Sequence, residues 1–429
     1  MSENYVLVGN GCAAIECAKS LRENGYSGNI HLLSDLSVPA YNPMLITYYA
    51  AGKIEYDTMF PYGNNMDLYK RYNIIPHFGS PVVKLDTKEQ YVENSEGFKI
   101  HYDKALIATG SSPIIPSAFK NVSDHVYTLR TLEDGVKFRD LLRGQKKRVL
   151  VVGASMVGIK AVEALIENGF EVYLADFAEY IFPMIAHKNC SIIIQEILKS
   201  KNVKLRFGTA IERVEKDKDS LVAYFTDGGP TEKVDSIVIC TGVRPNVSFL
   251  DPNQVEIDNG IVVNEYMETS VAGLYAAGDV SQASDLLSGE KRIIGLWANA
   301  RYQGRTAGAN MAGKRTKYLG ALPHNITHFM EHDFVGVGDI NEGDHIYEEY
   351  DEENYSYCRL VWKDGKLIGV NILNIPEISG ILKNYIIKGL VTDYKDGLSK
   401  FANDSLALMR LYNKYPSLEN KFLEMRVGK

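Results

Sequence analysis

The sequence predicts an α/β fold, with two parallel-sheet βαβ domains followed by a C-terminal α+β domain. Three observations predict it. A strand, a glycine turn, a helix, a second strand and an acid open the chain, and the same grammar returns 144 residues later. Beyond about residue 320, antiparallel patterns and short turns replace it. The length of 429 residues also exceeds what one hydrophobic core supports, since single cores stop growing at roughly 250–300 residues.

The first element is the apolar run Tyr5 to Val8, closed by Gly9-Asn10-Gly11-Cys12-Ala13-Ala14. Helical spacing of Ala14, Ile15, Ala18 and Leu21 follows, ending at Gly25, and a second strand, Asn29 to Leu33, runs into Ser34-Asp35. In the repeat, Arg148 to Val152 leads into Gly153-Ala154-Ser155-Met156-Val157-Gly158. A helix to about Asn168-Gly169 and the strand Glu171 to Leu174 complete it, before Ala175-Asp176. Two segments, Ala105 to Gly110 and Ser236 to Gly242, are buried strands ending in Thr-Gly where the chain crosses between domains. Leu274 to Asp279 returns the chain to the first domain. Past Ala321, Asp333 to Ile340 and Tyr355 to Asn371 read as antiparallel strands with a turn at Lys363-Asp364-Gly365-Lys366. The tail from Leu406 to Met425 reads as an amphipathic helix. The domains expected are 1–115 with 243–320, then 116–242, then 321–429.

Composition excludes several classes. Apolar residues at 45% and charged residues at 24% are ordinary for a globular chain, so wholesale disorder is excluded. A net charge of −7 with no basic tail argues against nucleic acid. No run of about 20 uncharged apolar residues suggests a membrane span. Met1-Ser2-Glu3-Asn4 lacks a basic n-region, and five irregularly spaced cysteines fit a reduced interior, so a cytoplasmic location is expected.

The glycine turns carry the chemistry. Gly9 makes the tight turn and Gly11 lets a pyrophosphate approach a helix N-terminus, whose N–H groups and dipole favour an anion. Ala14 takes the third position, for close helix–strand packing, and Asp35, 26 residues after Gly9, is placed to bond an adenosine ribose. In the repeat Ser155 replaces the middle glycine; it tolerates phosphate approach and can donate a hydrogen bond. Asp176, 23 residues after Gly153, would take both ribose hydroxyls and repel a 2′-phosphate. No Arg follows in Phe177-Ala178-Glu179-Tyr180, so NAD is favoured over NADP. Two nucleotides are expected, on two Rossmann-like domains.

Gly9-x-Gly-x-x-Ala, Ala108-Thr-Gly110, Gly153-x-x-x-x-Gly158, Thr241-Gly-Val-Arg-Pro-Asn246 and Ala277-Gly-Asp279 stand in this order. The set resembles the FAD-dependent pyridine nucleotide oxidoreductases, in particular the branch of rubredoxin and ferredoxin reductases and the NADH-binding part of nitrite reductase. The resemblance covers roughly residues 4–320; the last hundred match by position and texture, and there the family's domain packs at a dimer or partner interface. It implies FAD on the first domain and NAD(H) on the second. It places Gly9, Gly11, Cys12, Ala13, Ala14, Asp35, Val83, Ala108, Thr109 and Gly110 at FAD. Arg130, Gly278, Asp279, Leu296 and Trp297 join them, with Asp279 on the ribityl chain and Leu296-Trp297 bordering the flavin ring. Gly153, Ser155, Met156, Val157, Gly158, Asp176 and Gly242 fall on NAD.

Two departures from that family matter. Members that reduce disulfides carry a redox cysteine after the second strand, and here Val38 to Tyr49 has none. Cys12 and Cys17 have the spacing of a redox pair, but five residues of helix span about 7.5 Å, beyond disulfide reach; all five cysteines are expected to pack. The nine histidines show no metal spacing, although His324, His328 and His332 lie four apart. The family's glutamate two residues after the last glycine of the second motif is here Lys160, with Asn42, Thr47 and Tyr48 where basic residues would stand. Either Lys160 tunes the flavin electrostatically or it is solvent-exposed. A basic run (Lys137, Arg139, Arg143, Lys146, Lys147, Arg148) either docks an acidic electron carrier or is a solvated helix face. The expected activity is hydride transfer from NADH to FAD, with electrons passed to rubredoxin, ferredoxin or an iron–sulfur or metal subunit. The alternatives are an NADH oxidase or small-molecule reductase acting from the flavin, or an FAD-binding scaffold subunit with slow turnover. The C-terminal domain is expected to make a homodimer or hetero-oligomer.

Overall fold

A computed structural model describes residues 3–145, 147–396, 398, 400, 401, 403 and 404. The amphipathic tail expected from Leu406 to Met425 lies outside the described residues. The chain divides into two compact units: residues 1–177 with 201–321, and residues 178–200 with 322–429.

In chain order the first unit contains β1 (Asn4–Val8), α1 (Cys12–Glu23), β2 (Asn29–Leu33), α2 (Ile46–Ala50), β3 (Ile74–His77), β4 (Lys104–Ile107), β5 (Val126–Tyr127), α3 (Leu132–Arg143), β6 (Arg148–Val152), α4 (Met156–Glu167) and β7 (Glu171–Asp176). The second unit then takes α5 (Lys188–Ser200). The chain returns to the first unit with β8 (Lys204–Phe207), β9 (Ser236–Ile239), β10 (Leu274–Ala276) and α6 (Trp297–Met311). It ends in the second with β11 (His324–Phe329), β12 (His332–Gly338), β13 (His345–Asp351), β14 (Ser356–Lys363), β15 (Lys366–Leu373) and α7 (Ser379–Lys388).

The internal repeat is real at the level of sheets. One parallel sheet has the order β10-β4-β1-β2-β3, the other β8-β7-β6-β9-β5. Both central strands are fully apolar inside, Val6 and Leu7 in β1, Val149 to Val151 in β6, as parallel strands covered on two faces must be. Each half also carries a three-stranded antiparallel sheet, 82–101 in the first and 211–234 in the second. The two Thr-Gly crossovers meet, since Ser111–Pro113 pairs antiparallel with Val243–Pro245. Asn246 ties them further: its side chain donates to the Thr109 carbonyl at 2.9 Å, and the Thr109 hydroxyl donates to the Asn246 carbonyl at 2.8 Å.

The second unit is an antiparallel sheet in the order β11-β12-β15-β14-β13, with α7 and α5. The expected strands there are present, including the 363–366 turn between β14 and β15. The two parallel sheets fall in one unit, where the sequence reading expects separate domains 1–115 with 243–320 and 116–242. Residues 178–200, read as part of the 116–242 domain, group with the C-terminal residues. Phe182 packs on Phe334 and Phe329, and the His187 N–H donates to Asn371 at 2.8 Å, so these residues complete the C-terminal core.

Candidate functional site

The first glycine turn follows β1, where the strand order runs to β2 on one side and to the parallel β4 on the other, the switch point at which α/β sheets open a crevice. Gly9 has φ +112°, and a Cβ on it would stand 2.2 Å from the Ala108 carbonyl oxygen, so no side chain fits. Gly11 is the N-cap of α1 and has nothing within 4 Å of where a Cβ would be. No side chain caps this helix, so its first N–H groups face open space suited to a pyrophosphate. Cys12, Ala13 and Ala14 are buried against α6, where Gly304 would strike the Ala13 carbonyl with any Cβ (2.2 Å). Asn10 donates to the Val38 carbonyl and accepts from Tyr69, fixing the 38–42 loop beside the turn.

The second turn repeats this geometry at the β6–β9 switch point. Gly153 has φ +106°, and a Cβ would lie 2.4 Å from the Cys240 carbonyl. A Cβ on Gly158 would lie 2.0 Å from the Gly153 carbonyl. Ser155 is the N-cap of α4, with a backbone matching Gly11. Its hydroxyl accepts from the Gly158 N–H at 3.3 Å and donates to the Cys240 carbonyl at 3.0 Å. The hydroxyl read as a phosphate donor is therefore engaged as a cap. Met156 and Val157 open the helix, Val157 exposed, and Gly242 at φ +99° leaves open space beyond β9.

Register distinguishes the two acids. Gly9 donates to the Leu33 carbonyl and Gly153 to the Ala175 carbonyl, so Asp176 matches Ser34, and Asp35 stands one residue further on, exposed. Asp176 is half-buried and accepts from the Ala154 N–H at 2.6 Å, which holds the carboxylate in the second turn. Sequence spacing alone, 26 against 23 residues, concealed this offset.

A third group forms around Arg130. Thr131 caps α3 and Asp134 accepts from the Arg130 and Thr131 N–H groups at 2.9 Å, a capping box that sets the backbone of Leu129-Arg130-Thr131. The Arg130 guanidinium then reaches the Ser111 carbonyl (2.9 Å) and Asp279 (2.8 Å), beside Gly110. The Gly278 N–H donates to Gln303, which is 1% exposed on α6. Thus Gly110, Arg130 and the Gly278-Asp279 pair converge from three segments. Leu296 caps α6, and Trp297 stands 6.2 Å from the Tyr62 ring. Val83 lies apart from these, 53% exposed at a bulge of the 82–101 sheet.

Sequence reasoning missed Glu16, a carboxylate with no exposure on α1. It takes Lys19 (3.0 Å), Arg305 (3.2 Å), Arg301 (3.5 Å) and the Tyr62 hydroxyl (3.2 Å), clamping α1 to α6. Burial pushes its carboxyl up, but the hydrogen bond and charge of Lys19, with Arg301 and Arg305, hold it below the usual carboxylate range. The signal was the i, i+4 spacing of Arg301 and Arg305 opposite a lone acid on an apolar helix face.

Lys160 is buried, 8% exposed, not solvated. It pairs with Glu163 and lies 4.7 Å from the Tyr48 ring; Glu163 also meets Lys53 at 3.3 Å. A cation here is therefore neutralised by its own helix. All five cysteines are free and buried. Burial pushes the Cys12, Cys17 and Cys190 thiols upward, and those of Cys240 and Cys358 to about 12, so each stays a thiol. Cys12 rests on the Trp297 carbonyl and Cys17 on the Met311 sulfur, both at 3.7 Å. The basic run is partly neutralised too: Lys137 pairs with Glu133, Arg148 with Asp235, and Arg139 covers Tyr49. Lys146 lies outside the described residues. His328 pairs with Asp333 and His332 with Asn374, and among the described residues no three such side chains could hold a metal ion. No helix among them is long and apolar enough to cross a membrane.

With this geometry in place, the comparisons are specific. Residues 3–304 match the family described as pyridine nucleotide-disulphide oxidoreductase. The epsilon subunit of NADH-dependent phenylglyoxylate dehydrogenase from Aromatoleum evansii is 29% identical over 95% of this chain and 96% of its own length. Putidaredoxin reductase from Pseudomonas putida is 30% identical over 73% of this chain and 75% of its own. The solved covalent complex of putidaredoxin reductase with putidaredoxin superimposes with a TM-score of 0.85 at 25% identity, covering 94% of this chain and 99% of the other.

Proposed function

The chain belongs to the pyridine nucleotide-disulphide oxidoreductase family, and on that premise we propose that it passes electrons from NADH through FAD directly to a redox subunit of a larger complex, without a thiol relay. It is an FAD-dependent NAD(P)H oxidoreductase. Bound FAD supplies hydride acceptance and the onward release of two electrons. The chain's residues do the rest. Gly9, Gly11 and the uncapped start of α1 would hold the FAD pyrophosphate, and Arg130, Gly278 and Asp279 its ribityl region. Gly153, Gly158 and Asp176 would hold NADH, with the Asp176 charge opposing a 2′-phosphate.

The observation that carries this reading is that five buried thiols leave no cysteine to accept electrons, beside two intact nucleotide turns. An acceptor must then approach the flavin itself. The end-to-end match to a protein named as a dehydrogenase subunit supports an assembly over a free carrier. The test is anaerobic mixing of the FAD-loaded protein with NADH, then with reduced-flavin acceptors. Flavin bleaching followed by rapid reoxidation by an iron–sulfur protein supports the reading. Rapid reoxidation by oxygen alone would favour a direct oxidase, and absence of bleaching would leave a scaffold.

A further inference from the structure

Phe177 is the residue immediately after Asp176, and it is 78% exposed. Among the described residues it stacks on no other ring. A single exposed aromatic is ordinary on a protein surface; its position gives this one meaning. Asp176 is held in the second glycine turn by the Ala154 N–H, and its own carbonyl accepts from the Thr209 N–H at 3.3 Å, so the end of β7 is pinned from both sides. The backbone that presents Phe177 is therefore fixed while its ring is left uncovered. The neighbouring turn after β8 is small there: Gly208 has φ +75° and open space, and Thr209 is 5% exposed. The matching position of the first repeat is the exposed acid Asp35, so where the first half presents a charge the second presents an aromatic ring.

We propose that Phe177 is the adenine platform of the NADH site, a residue that sets dinucleotide affinity by stacking under the base. The inference rests on the reading that the second turn binds NADH. A carboxylate that takes the adenosine ribose fixes where the base must go, because the base is bonded to that same ribose. The next residue along the chain is about 3.8 Å away, within the reach of a phenylalanine ring. Base–aromatic stacking uses only the base's π-face, so it complements the ribose selection by Asp176. An apolar ring at this position also offers a 2′-phosphate no cation.

The test is calorimetric binding of ADP-ribose, which carries the adenosine half and no reducible ring, to the FAD-loaded protein. Phe177→Ala is expected to weaken ADP-ribose about tenfold, ~1.4 kcal/mol. Phe177→Trp is expected to restore or exceed wild-type affinity, and Phe177→Leu, apolar but without a ring, to remain weak. Equal affinity in wild type and Phe177→Ala would overturn the platform while leaving the NADH reading intact. Phe177→Leu binding as tightly as wild type would overturn stacking. A wild-type protein that neither binds ADP-ribose nor bleaches with NADH would overturn both. The FAD content of each variant, read from its absorbance, confirms that the fold is unchanged.

Discussion

Single residues distinguish the two nucleotide turns. Gly11 and Ser155 share a backbone conformation, but Ser155 spends its hydroxyl on the Gly158 N–H and the Cys240 carbonyl. One of the donors that a phosphate would meet at α1 is thus already satisfied at α4, and Asp176 and the remaining backbone N–H groups must carry more of the selection. Asp176→Ala is accordingly expected to cost NADH about 1.5–3 kcal/mol, the range for hydrogen bonds to a charged group. NADPH should lose far less, so the ratio of the two kcat/KM values narrows. An unchanged ratio would remove Asp176 from the ribose. The glycine motifs were legible in the sequence because a missing Cβ is a geometric demand that spacing reveals. The equivalence of Asp176 to Ser34, not Asp35, was not, because it depends on a hydrogen-bond register that residue counting does not resolve.

Among elements, helix contacts made through glycine and buried charge organise the first unit. Gly304 and Gly308 let α6 approach α1 until a Cβ would lie 2.2 Å from the Ala13 carbonyl and 2.4 Å from that of Cys17. Arg301 and Arg305, paired with Glu16, close the same interface, and Gly278 reaches Gln303 on α6. On α4 the sequence left Lys160 as either a flavin-tuning cation or a solvent-exposed one, whereas the fold gives a buried ion pair. Lys160 and Glu163 lie one turn apart, and the pair acts with Lys53 and Tyr48 from the α2 side. Pairing at i, i+3 was readable from the sequence; burial of both partners was not, since the neighbouring helix supplies it. Lys160→Met should leave Glu163 in charge excess and lower the flavin midpoint potential by tens of millivolts, where ~30 mV corresponds to ~1.4 kcal/mol for two electrons. A potential equal to wild type would confine Lys160 to helix packing.

At the scale of the whole molecule, the two repeated parallel sheets and the antiparallel C-terminal sheet were legible, since periodicity and turn residues encode them locally. The grouping of residues 178–200 with the C-terminal sheet was not, because it rests on long-range contacts of Phe182 and His187. Acid sensitivity is likewise a sum over distant sites. Burial lowers the pKa of His31, His77, His187 and His324, aided at His31 by His77 and at His187 by Arg359. The unfolded chain therefore binds more protons than the folded one below about pH 6.5, and stability rises with pH through that window. The Tm is expected to fall as pH drops from 7.5 to 5.5, by roughly 2–4 °C per kcal/mol lost; a Tm that holds or rises would contradict the burial of these rings. The central claim, that electrons stop only at the flavin, is an electron count. FAD holds two electrons, and a flavin with a redox-active disulfide holds four. Anaerobic titration of the FAD-loaded protein with NADH should reach its end point at one NADH per FAD, with the flavin fully bleached. An end point at two NADH per FAD would reveal a second two-electron acceptor in the chain and contradict the account.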